Sequence, residues 1–352
     1  MAEAQQTPMK LDPTYDHYEF PTTTPEPKPG HPGHLTEGQQ AQVHQLRMML
    51  ETEGHKEHLD TLTLLRFLRA RKFDVNAAKK MFTDYIEWRK AMTTKDTKTG
   101  GVKTLALEEV DPKNPPKPIN LDEAVRTWDK DGAFKAKLAQ YYTQFYHKTD
   151  KVGRPVYIEQ LGRINLTEIY KAGITDGKML LNLAVEYEKM ADPRLPACSR
   201  KAGHLLETSC TIMDLAGVGL SNASQVFGYV QQASAMSNNY YPERLGHMYL
   251  INAPSLFSWV WRTVKGFLDP VTASKIDVIS GNPSKILLEH IPAENLPEKY
   301  GGTCKCEGGC EVSDAGPWRE AEWSKPAWWE KPVEDATIEN KPTEVGGEGA
   351  AA

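Results

Sequence analysis

The chain has 352 residues, of which 39% are hydrophobic and 25% are charged, and its formal net charge is −5. This length supplies enough apolar material for one large core and a helical accessory unit. It contains no run of 18 apolar residues, and residues 1–10 lack the basic and apolar segments of a secretory signal, so we expect neither a spanning helix nor export.

Charge is unevenly distributed along the chain. Residues 311–352 carry ten acidic and four basic side chains, which leaves the preceding part with a net charge of about +1. Proteins that bind nucleic acids rely on many Lys and Arg side chains facing phosphates. We therefore expect no nucleic-acid partner.

The N-terminal part of the chain divides into an arm and a helical unit. Residues 1–34 contain seven prolines and few aliphatic side chains, which predicts a disordered or extended arm. A helical unit is expected over residues 35–92, because Thr36 and Gln39 have the spacing of a capping box. Asp74 is placed to cap a later helix. The apolar stripe of that helix comprises Ala78, Phe82 and Tyr85.

A linker or insertion is predicted over residues 93–140, which contain a Gly-Gly pair and a cluster of prolines. Strand and helix candidates then alternate over residues 141–303. The strand candidates are 155–161, 208–215, 247–251 and 276–279, and the helix candidates are 177–190, 221–237, 255–267 and a short segment after Pro283. This alternation predicts an α/β sheet with crossover helices.

Two segments of this region could form a binding site. In the second strand candidate, Ser209 and Thr211 lie on one face with Met213. Their hydroxyls could bond backbone or water, or they could line a cavity and donate to a ligand's phosphate. The helix candidate 255–267 is apolar on nearly every face and too short to span a bilayer, so it is a core helix, a lid over a cavity or an interfacial element.

Residues 304–352 form an acidic tail rich in cysteine and tryptophan. Cys304, Cys306 and Cys310 offer three thiolates, but no fourth ligand is evident nearby, so we expect free thiols and no metal. The odd number of five cysteines indicates a reducing compartment. We expect the tryptophans to dock on the body and the end of the tail to be disordered.

Enzyme signatures are missing from the sequence. It has no dinucleotide-binding, P-loop, metalloprotease or nucleophile-elbow motif, so we expect no cofactor and no enzymatic activity. A basic stretch occurs at the end of the second predicted helix, and it is either a solvated helix face or an anion site. It comprises Arg66, Arg69, Arg71 and Lys72.

Several longer motifs occur together and in order. They are LLRFLRARKFD at 64–74, DKVGRPVY at 150–157, LPACSR at 195–200, ETSCTIMD at 207–214 and NYYPER at 239–244. With these motifs the sequence resembles the CRAL-TRIO lipid-binding family from about residue 35 to 302, and specifically its fungal phosphatidylinositol/phosphatidylcholine transfer members. The resemblance implies an N-terminal helical bundle packed on an α/β domain, whose mixed sheet borders a hydrophobic pocket closed by a helical gate.

The resemblance also implies roles for individual residues. Those expected at a phosphatidylinositol headgroup are Arg71, Lys72, Glu243, Thr272 and Lys275. Those expected at a phosphatidylcholine headgroup are Tyr146, Tyr157, Ser209 and Thr211. The gate and its membrane contacts would comprise Leu256, Phe257, Trp259, Val260, Trp261, Val264, Phe267 and Leu268. Cations suit phosphates, a carboxylate accepts hydrogen bonds from inositol hydroxyls, and tyrosine rings suit a quaternary ammonium.

From this resemblance we expect a monomeric, non-enzymatic protein of the cytoplasm that exchanges single phospholipids and binds Golgi or endosomal membranes peripherally. Its bound ligand would be phosphatidylinositol or phosphatidylcholine, and a phosphatidylinositol kinase is a candidate partner. Two alternatives remain open. One is a trafficking scaffold that keeps its phospholipid without exchange, and the other is a carrier of a sterol or an isoprenoid.

Overall fold

The computed structural model describes residues 9–95, 100–108, 113, 117–218, 223–254, 257, 261–262, 265 and 270–330, except for the side chains of 223–227. The helices in this part of the chain are α1 (Glu37–Thr52), α2 (Thr61–Ala70), α3 (Val75–Lys90), α4 (Leu121–Thr127), α5 (Ala133–Ala139), α6 (Leu166–Lys171), α7 (Asp176–Lys189), α8 (Leu195–Ala202), α9 (Ala223–Tyr240), α10 (Pro270–Ala273), α11 (Ser284–His290) and α12 (Cys310–Ser313). The strands are β1 (Thr93–Lys95), β2 (Val102–Thr104), β3 (Gln144–Thr149), β4 (Pro155–Glu159), β5 (Ser209–Asp214), β6 (Leu245–Ile251) and β7 (Ile276–Val278).

Helices α1, α2 and α3 form a helical unit with its own apolar core. The predicted capping box is present at the start of α1, where the side chain of Thr36 accepts from Gln39 N and the side chain of Gln39 accepts from Thr36 N. Asp74 caps α3 by accepting from Ala77 N. These caps satisfy backbone N–H groups that the first helical turn leaves without partners. The core includes Leu46, Leu64, Phe67, Ala78, Phe82 and Tyr85.

The arm that precedes this unit lies along the surface over residues 9–34. Asp16 accepts hydrogen bonds from the backbone and hydroxyl of Thr61 at the start of α2, at 2.7 and 2.6 Å. Farther along, Leu205 N donates to Thr23 O at 2.9 Å. The arm therefore bonds both to the helical unit and to the segment that leads into β5.

Residues 93–140 differ from the expected linker. They include β1, β2, α4 and α5, and several of their apolar side chains are buried in the largest core of the molecule. The buried side chains are Leu105, Ile119, Leu121, Val125 and Leu138. Glycine and proline content indicated a loop here, but the apolar side chains between them supply enough contact to pack the segment onto α7.

The main sheet is mixed, as the resemblance implied. Its strand order is β3-β4-β5-β6-β7, with β3 antiparallel to β4 and the remaining neighbours parallel. Parallel neighbours need crossovers, which α7, α8 and α9 help to supply. The sequence analysis did not predict β3. Strands β4 to β7 lie within two residues of their predicted bounds.

The two faces of the sheet are covered differently. On the outer face, Cys210, Ile212 and Tyr249 pack against α11 and the segment after it, where Leu287, Ile291 and Tyr300 are buried. The other face, which we call the inner face, points toward α7, α8 and α9 and carries the predicted Ser209 and Thr211. Period-two alternation along β5 places these two sets on opposite sides.

A buried ion pair joins the helical unit to the α/β unit. Arg89 of α3 is 1% exposed and its Nη1 donates to Glu188 Oε1 of α7 at 2.7 Å. Its Nε donates to Asp122 Oδ1 of α4 at 3.0 Å. Burial disfavours the charge of Glu188, but the charge and hydrogen bonds of Arg89, together with His58 and a hydrogen bond from Tyr241, lower the pKa of that carboxyl below the usual 4.5. The pair therefore fixes α3 against α7.

Candidate functional site

The inner face of the sheet changes from polar to apolar across the strands. Strand pairing aligns two rows of residues on this face, each running from β3 to β7. The first row is Tyr146, Tyr157, Thr211, Met248 and Ile276. The second row is Gln144, Glu159, Met213, Leu250 and Val278. Polar side chains thus occupy one end of the inner face and apolar ones the other.

The apolar end of the inner face is incompletely covered. Met213, Met248, Ile276 and Val278 all remain only partly buried, although they pack beside the large core. A contiguous apolar sheet surface that is not fully buried is typical of a site for an apolar ligand. Because the polar end of the same rows adjoins this apolar surface, the inner face as a whole suits a molecule that is polar at one end and apolar at the other.

The polar end contains a hydroxyl group that is buried without a partner. The rings of Tyr146 and Tyr157 lie side by side with centroids 4.9 Å apart. Tyr157 Oη is buried and makes no hydrogen bond to any described residue. Burial raises the pKa of Tyr157 well above its usual range, so the hydroxyl stays protonated and can donate. Thr211 is paired with Tyr157 in the sheet, and both are buried.

Ser209 lies at the start of β5 and is held differently from Thr211. Its Oγ is 3.5 Å from Arg244 O, the limit of a hydrogen bond, so the hydroxyl is only weakly engaged. The structure therefore brings the four predicted residues Tyr146, Tyr157, Ser209 and Thr211 to one region of the inner face. Their hydroxyls are suitable donors to phosphate oxygens.

A buried arginine lies next to this group. The Arg194 guanidinium is 4.3 Å from the ring centroid of Tyr146. It pairs with Glu186 at 3.2 Å and with Asp314 at 3.1 Å. Burial acts against the charge of Glu186, but Arg194, Lys135 and Lys189 together outweigh it and lower the pKa of that carboxyl to about 2. The ring of Tyr146 is therefore already in contact with a cation.

A second polar cluster lies where α2 meets the turn between α9 and β6. The side chain of Arg69 is 7% exposed, and its Nη2 donates to Glu207 Oε2 at 2.9 Å. Its Nε is 4.0 Å from Glu243 Oε2, and neither Nε nor Nη1 makes a hydrogen bond within the part of the chain that the structure describes. A buried guanidinium with unused donors favours an anionic ligand. The basic stretch was interpreted as either a solvated helix face or an anion site, and the burial of Arg69 excludes the solvated face for this residue.

Lys275 belongs to the same region by its electrostatic effect. His31 of the arm is partly buried, and burial, followed by the charges of Arg69, Lys28 and then Lys275, lowers its pKa to about 4. Glu207 acts on the same ring in the opposite direction. Arg69, Glu207 and Lys275 therefore lie within electrostatic range of one histidine, and Glu243 adjoins them through Arg69.

The other residues expected at this headgroup are arranged more loosely. Arg71 follows α2, and its Nη1 donates to Ala70 O at 3.1 Å. It lines a cleft of about 590 Å³ beside Trp88 and Tyr240. Lys72 is exposed, and Thr272 is half-buried in α10. In the part of the chain that the structure describes, no ion pair joins Arg71 or Lys72 to Glu243.

Most of the predicted gate lies outside the described residues. This applies to Leu256, Trp259, Val260, Val264, Phe267 and Leu268. Phe257 and Trp261 are described as helical, and both pack against the large core that borders the inner face. The position of these two rings is consistent with a helix that covers the apolar rows.

The sequence analysis did not assign three charged residues of this site. It named Arg69 only as part of the basic stretch, and it did not name Glu207 or Arg194. A signal for Arg69 exists in the sequence. It follows Leu62 and Leu65 at helical spacing, so it lies on the buried stripe of α2. A charged residue on an apolar stripe is unusual unless it is paired or binds a ligand. Glu207 lies 138 residues away and gives no comparable signal.

Comparison with known protein families identifies the class of protein that this fold and site define. Residues 139–302 match the CRAL/TRIO domain, and residues 34–84 match the CRAL/TRIO, N-terminal domain. The chain belongs to the CRAL-TRIO family.

Individual proteins similar to this chain are found in fungi and in a plant. The chain is 47% identical over 304 residues to the Sec14 cytosolic factor of Schizosaccharomyces pombe, covering 86% of this chain and 96% of that protein. It is 49% identical over 300 residues to the SEC14 cytosolic factor of Kluyveromyces lactis, covering 84% and 90%. It is 38% identical over 262 residues to the phosphatidylinositol/phosphatidylcholine transfer protein SFH4 of Arabidopsis thaliana, covering 74% of this chain and 38% of that protein.

Proposed function

We propose that this protein carries single molecules of phosphatidylinositol or phosphatidylcholine between membranes. The observation that carries the proposal is the inner face of the sheet, whose two rows pass from hydroxyls to apolar side chains. Such a surface fits one phosphatidylcholine with its headgroup over β3 and β4 and its chains toward β7. The name of the Arabidopsis relative supports the same two lipids.

The energetic need for an enclosed site is large. Two acyl chains expose roughly 30 methylenes, and at about 0.8 kcal/mol each their transfer through water costs on the order of 25 kcal/mol. An apolar cavity removes most of this cost. A helix over residues 255–267 would close the cavity in water and open at a membrane, because lipid surrounds its apolar side chains there.

Two headgroup positions are proposed. Phosphatidylcholine places its phosphate at Tyr146, Tyr157, Ser209 and Thr211. Phosphatidylinositol uses Arg71, Lys72, Glu243, Thr272 and Lys275, to which we add Arg69. Because both lipids place their acyl chains over the same apolar rows, they exclude each other, and bound phosphatidylinositol could be presented to a lipid kinase.

The proposed cellular setting follows from the relatives named cytosolic factors. We propose a monomeric cytoplasmic protein that binds Golgi or endosomal membranes peripherally and supports secretory trafficking without enzymatic activity. Among the described residues, no helix has the length and apolar character needed to cross a bilayer.

The lipid that copurifies with the protein tests this proposal. Native mass spectrometry with lipid extraction should find about one phosphatidylinositol or phosphatidylcholine per wild-type chain. The double variant Ser209→Ala, Thr211→Val should lower the phosphatidylcholine share at least tenfold and keep phosphatidylinositol. It removes two hydroxyl donors to a charged phosphate, each worth about 1.5–3 kcal/mol.

A matched control is Thr127→Val, which removes an exposed hydroxyl from α4 that donates only to Glu123 O at 2.9 Å. It should leave the lipid ratio unchanged. An equal loss of both lipids in the double variant would mean that this group is not a phosphatidylcholine site. A sterol or an isoprenoid in the wild-type protein would refute both headgroup assignments.

A further inference from the structure

The tail cysteines meet a histidine from the sheet. The atoms His147 Nε2 and Cys304 Sγ are 3.4 Å apart, and Cys304 Sγ and Cys306 Sγ are 3.8 Å apart. One ligand atom from each of His147, Cys304, Cys306 and Cys310 lies within 4.8 Å of every other. The sequence analysis found no fourth ligand because His147 precedes Cys304 by 157 residues. The structure therefore places a fourth candidate ligand beside the three cysteines.

We propose that His147, Cys304, Cys306 and Cys310 form a structural zinc site. Three cysteine thiolates and one histidine are a common ligand set for structural zinc, arranged as a tetrahedron. With zinc–sulfur bonds of about 2.3 Å and zinc–nitrogen bonds of about 2.0–2.1 Å, the edges of that tetrahedron are about 3.8 Å between sulfurs and about 3.6 Å from sulfur to nitrogen. The two separations measured here agree with these edges.

The histidine is already oriented for metal binding. Ser313 Oγ donates to Cys310 O at 3.1 Å and lies 3.2 Å from His147 Nδ1. Because the serine proton is used on the carbonyl, the serine oxygen can accept from Nδ1–H. The lone pair is then on Nε2, which faces the sulfurs. A hydrogen bond of this kind at the second ring nitrogen is the usual support of a zinc-bound histidine.

The backbone brings the third cysteine back to the other two. Between Cys306 and Cys310, Gly308 and Gly309 have φ angles of +73° and +105°. Gly309 N donates to Cys306 O at 2.9 Å, which closes the turn. Residues with a Cβ rarely adopt these angles, so the Gly-Gly pair has a geometric reason. The turn places the sulfur of Cys310 on the same side as those of Cys304 and Cys306.

The site would fasten the tail to the edge strand β3. Zinc binding releases the thiol protons and ties residues 304–310 to His147, which is fully buried in β3. Immediately after the site, Asp314 pairs with Arg194 at 3.1 Å, and Trp318 packs on Tyr146 with centroids 6.4 Å apart. The metal therefore stabilises the part of the tail that holds Arg194 against Tyr146.

Metal analysis of the reduced full-length protein, purified without chelator or metal-affinity resin, tests the proposal. We expect about one zinc per wild-type chain. Cys306→Ser and Cys310→Ser should each retain less than about a tenth of that zinc after dialysis, because three ligands hold a structural zinc poorly. Cys198→Ala, which changes a buried cysteine outside the cluster, should retain all of it.

Two further measurements on the wild-type protein do not depend on the folding of a variant. Cobalt substitution should give the visible absorption of a tetrahedral site with thiolate ligands, and X-ray absorption of the zinc form should give three sulfurs and one nitrogen. A zinc chelator should lower the thermal midpoint of wild type and leave that of Cys306→Ser unchanged. Reduced wild-type protein that takes up no zinc when supplied with it, or a Cys304–Cys306 disulfide in protein without metal, would overturn the proposal.

Discussion

Replacing Glu243 by Gln or Lys275 by Ala is expected to lower phosphatidylinositol transfer at least tenfold and to leave phosphatidylcholine transfer within about twofold of wild type. Glu243 Oε2 lies 4.0 Å from Arg69 Nε, and both Nε and Nη1 of Arg69 are buried without a hydrogen bond to any described residue. A carboxylate held there can accept inositol hydroxyls while the cations contact phosphate. Each charged hydrogen bond is worth about 1.5–3 kcal/mol, which is about tenfold to a hundredfold in affinity.

Matched controls come from the outer side of the sheet. Glu289→Gln and Lys285→Ala make the same chemical changes at exposed positions of α11 and should alter neither transfer rate. The rates are measured with labelled lipids that move between donor and acceptor vesicles. If Glu243→Gln lowers the transfer of both lipids equally, the residue supports the fold or the gate, and the headgroup assignment is wrong.

A second large effect is expected on stability. Arg89→Met should lower the free energy of unfolding by about 3–5 kcal/mol, because it leaves the buried Glu188 carboxylate without its cation. Among the described residues, Glu188 would then keep one side-chain hydrogen bond, from Tyr241 Oη at 2.8 Å. Urea unfolding followed by fluorescence measures the change. The control Lys90→Met breaks an exposed ion pair with Glu87 on the same helix and should change stability by less than about 0.5 kcal/mol.

The pH dependence separates this explanation from a simple loss of packing. In wild type the pKa of Glu188 is below 4.5, so its contribution to stability is present at neutral pH and is lost as the pH falls through the folded pKa. In Arg89→Met, burial without the cation raises that pKa, so acidification should relieve part of the destabilisation. The double variant Arg89→Met, Glu188→Gln should recover stability at neutral pH. A pH-independent loss that the second substitution does not reduce would contradict the account.

The sequence predicted the parallel part of the sheet well. Strands β4 to β7 are short, mainly apolar runs bounded by turn residues, and their length together with these flanking residues favours a strand over a buried helix. Strand β3 was missed because polar and apolar residues occur on both of its faces, in the sequence QFYHKT. Its inner residues border the site and its outer His147 belongs to the proposed zinc cluster, so neither face shows clean alternation.

The candidate site was only partly predictable for a related reason. The Arg69–Glu207 pair and the cluster around His147 join residues more than 130 positions apart, and their meeting depends on the packing of whole elements. The resemblance assigned Glu243, Lys275 and the hydroxyls of β5, and of these Glu243, Ser209 and Thr211 lie inside the quoted motifs. The motifs did not show that Arg194 covers Tyr146 or that residues 93–140 pack into the core. Both depend on contacts across the fold.

Transfer of labelled phosphatidylinositol and phosphatidylcholine between vesicles by the wild-type protein tests the central claim most directly. The account predicts that both lipids exchange as single molecules, and that excess unlabelled phosphatidylcholine slows phosphatidylinositol transfer because the chains compete for one apolar surface. A phospholipid that stays bound and never moves between vesicles would contradict it and would favour a lipid-dependent scaffold instead.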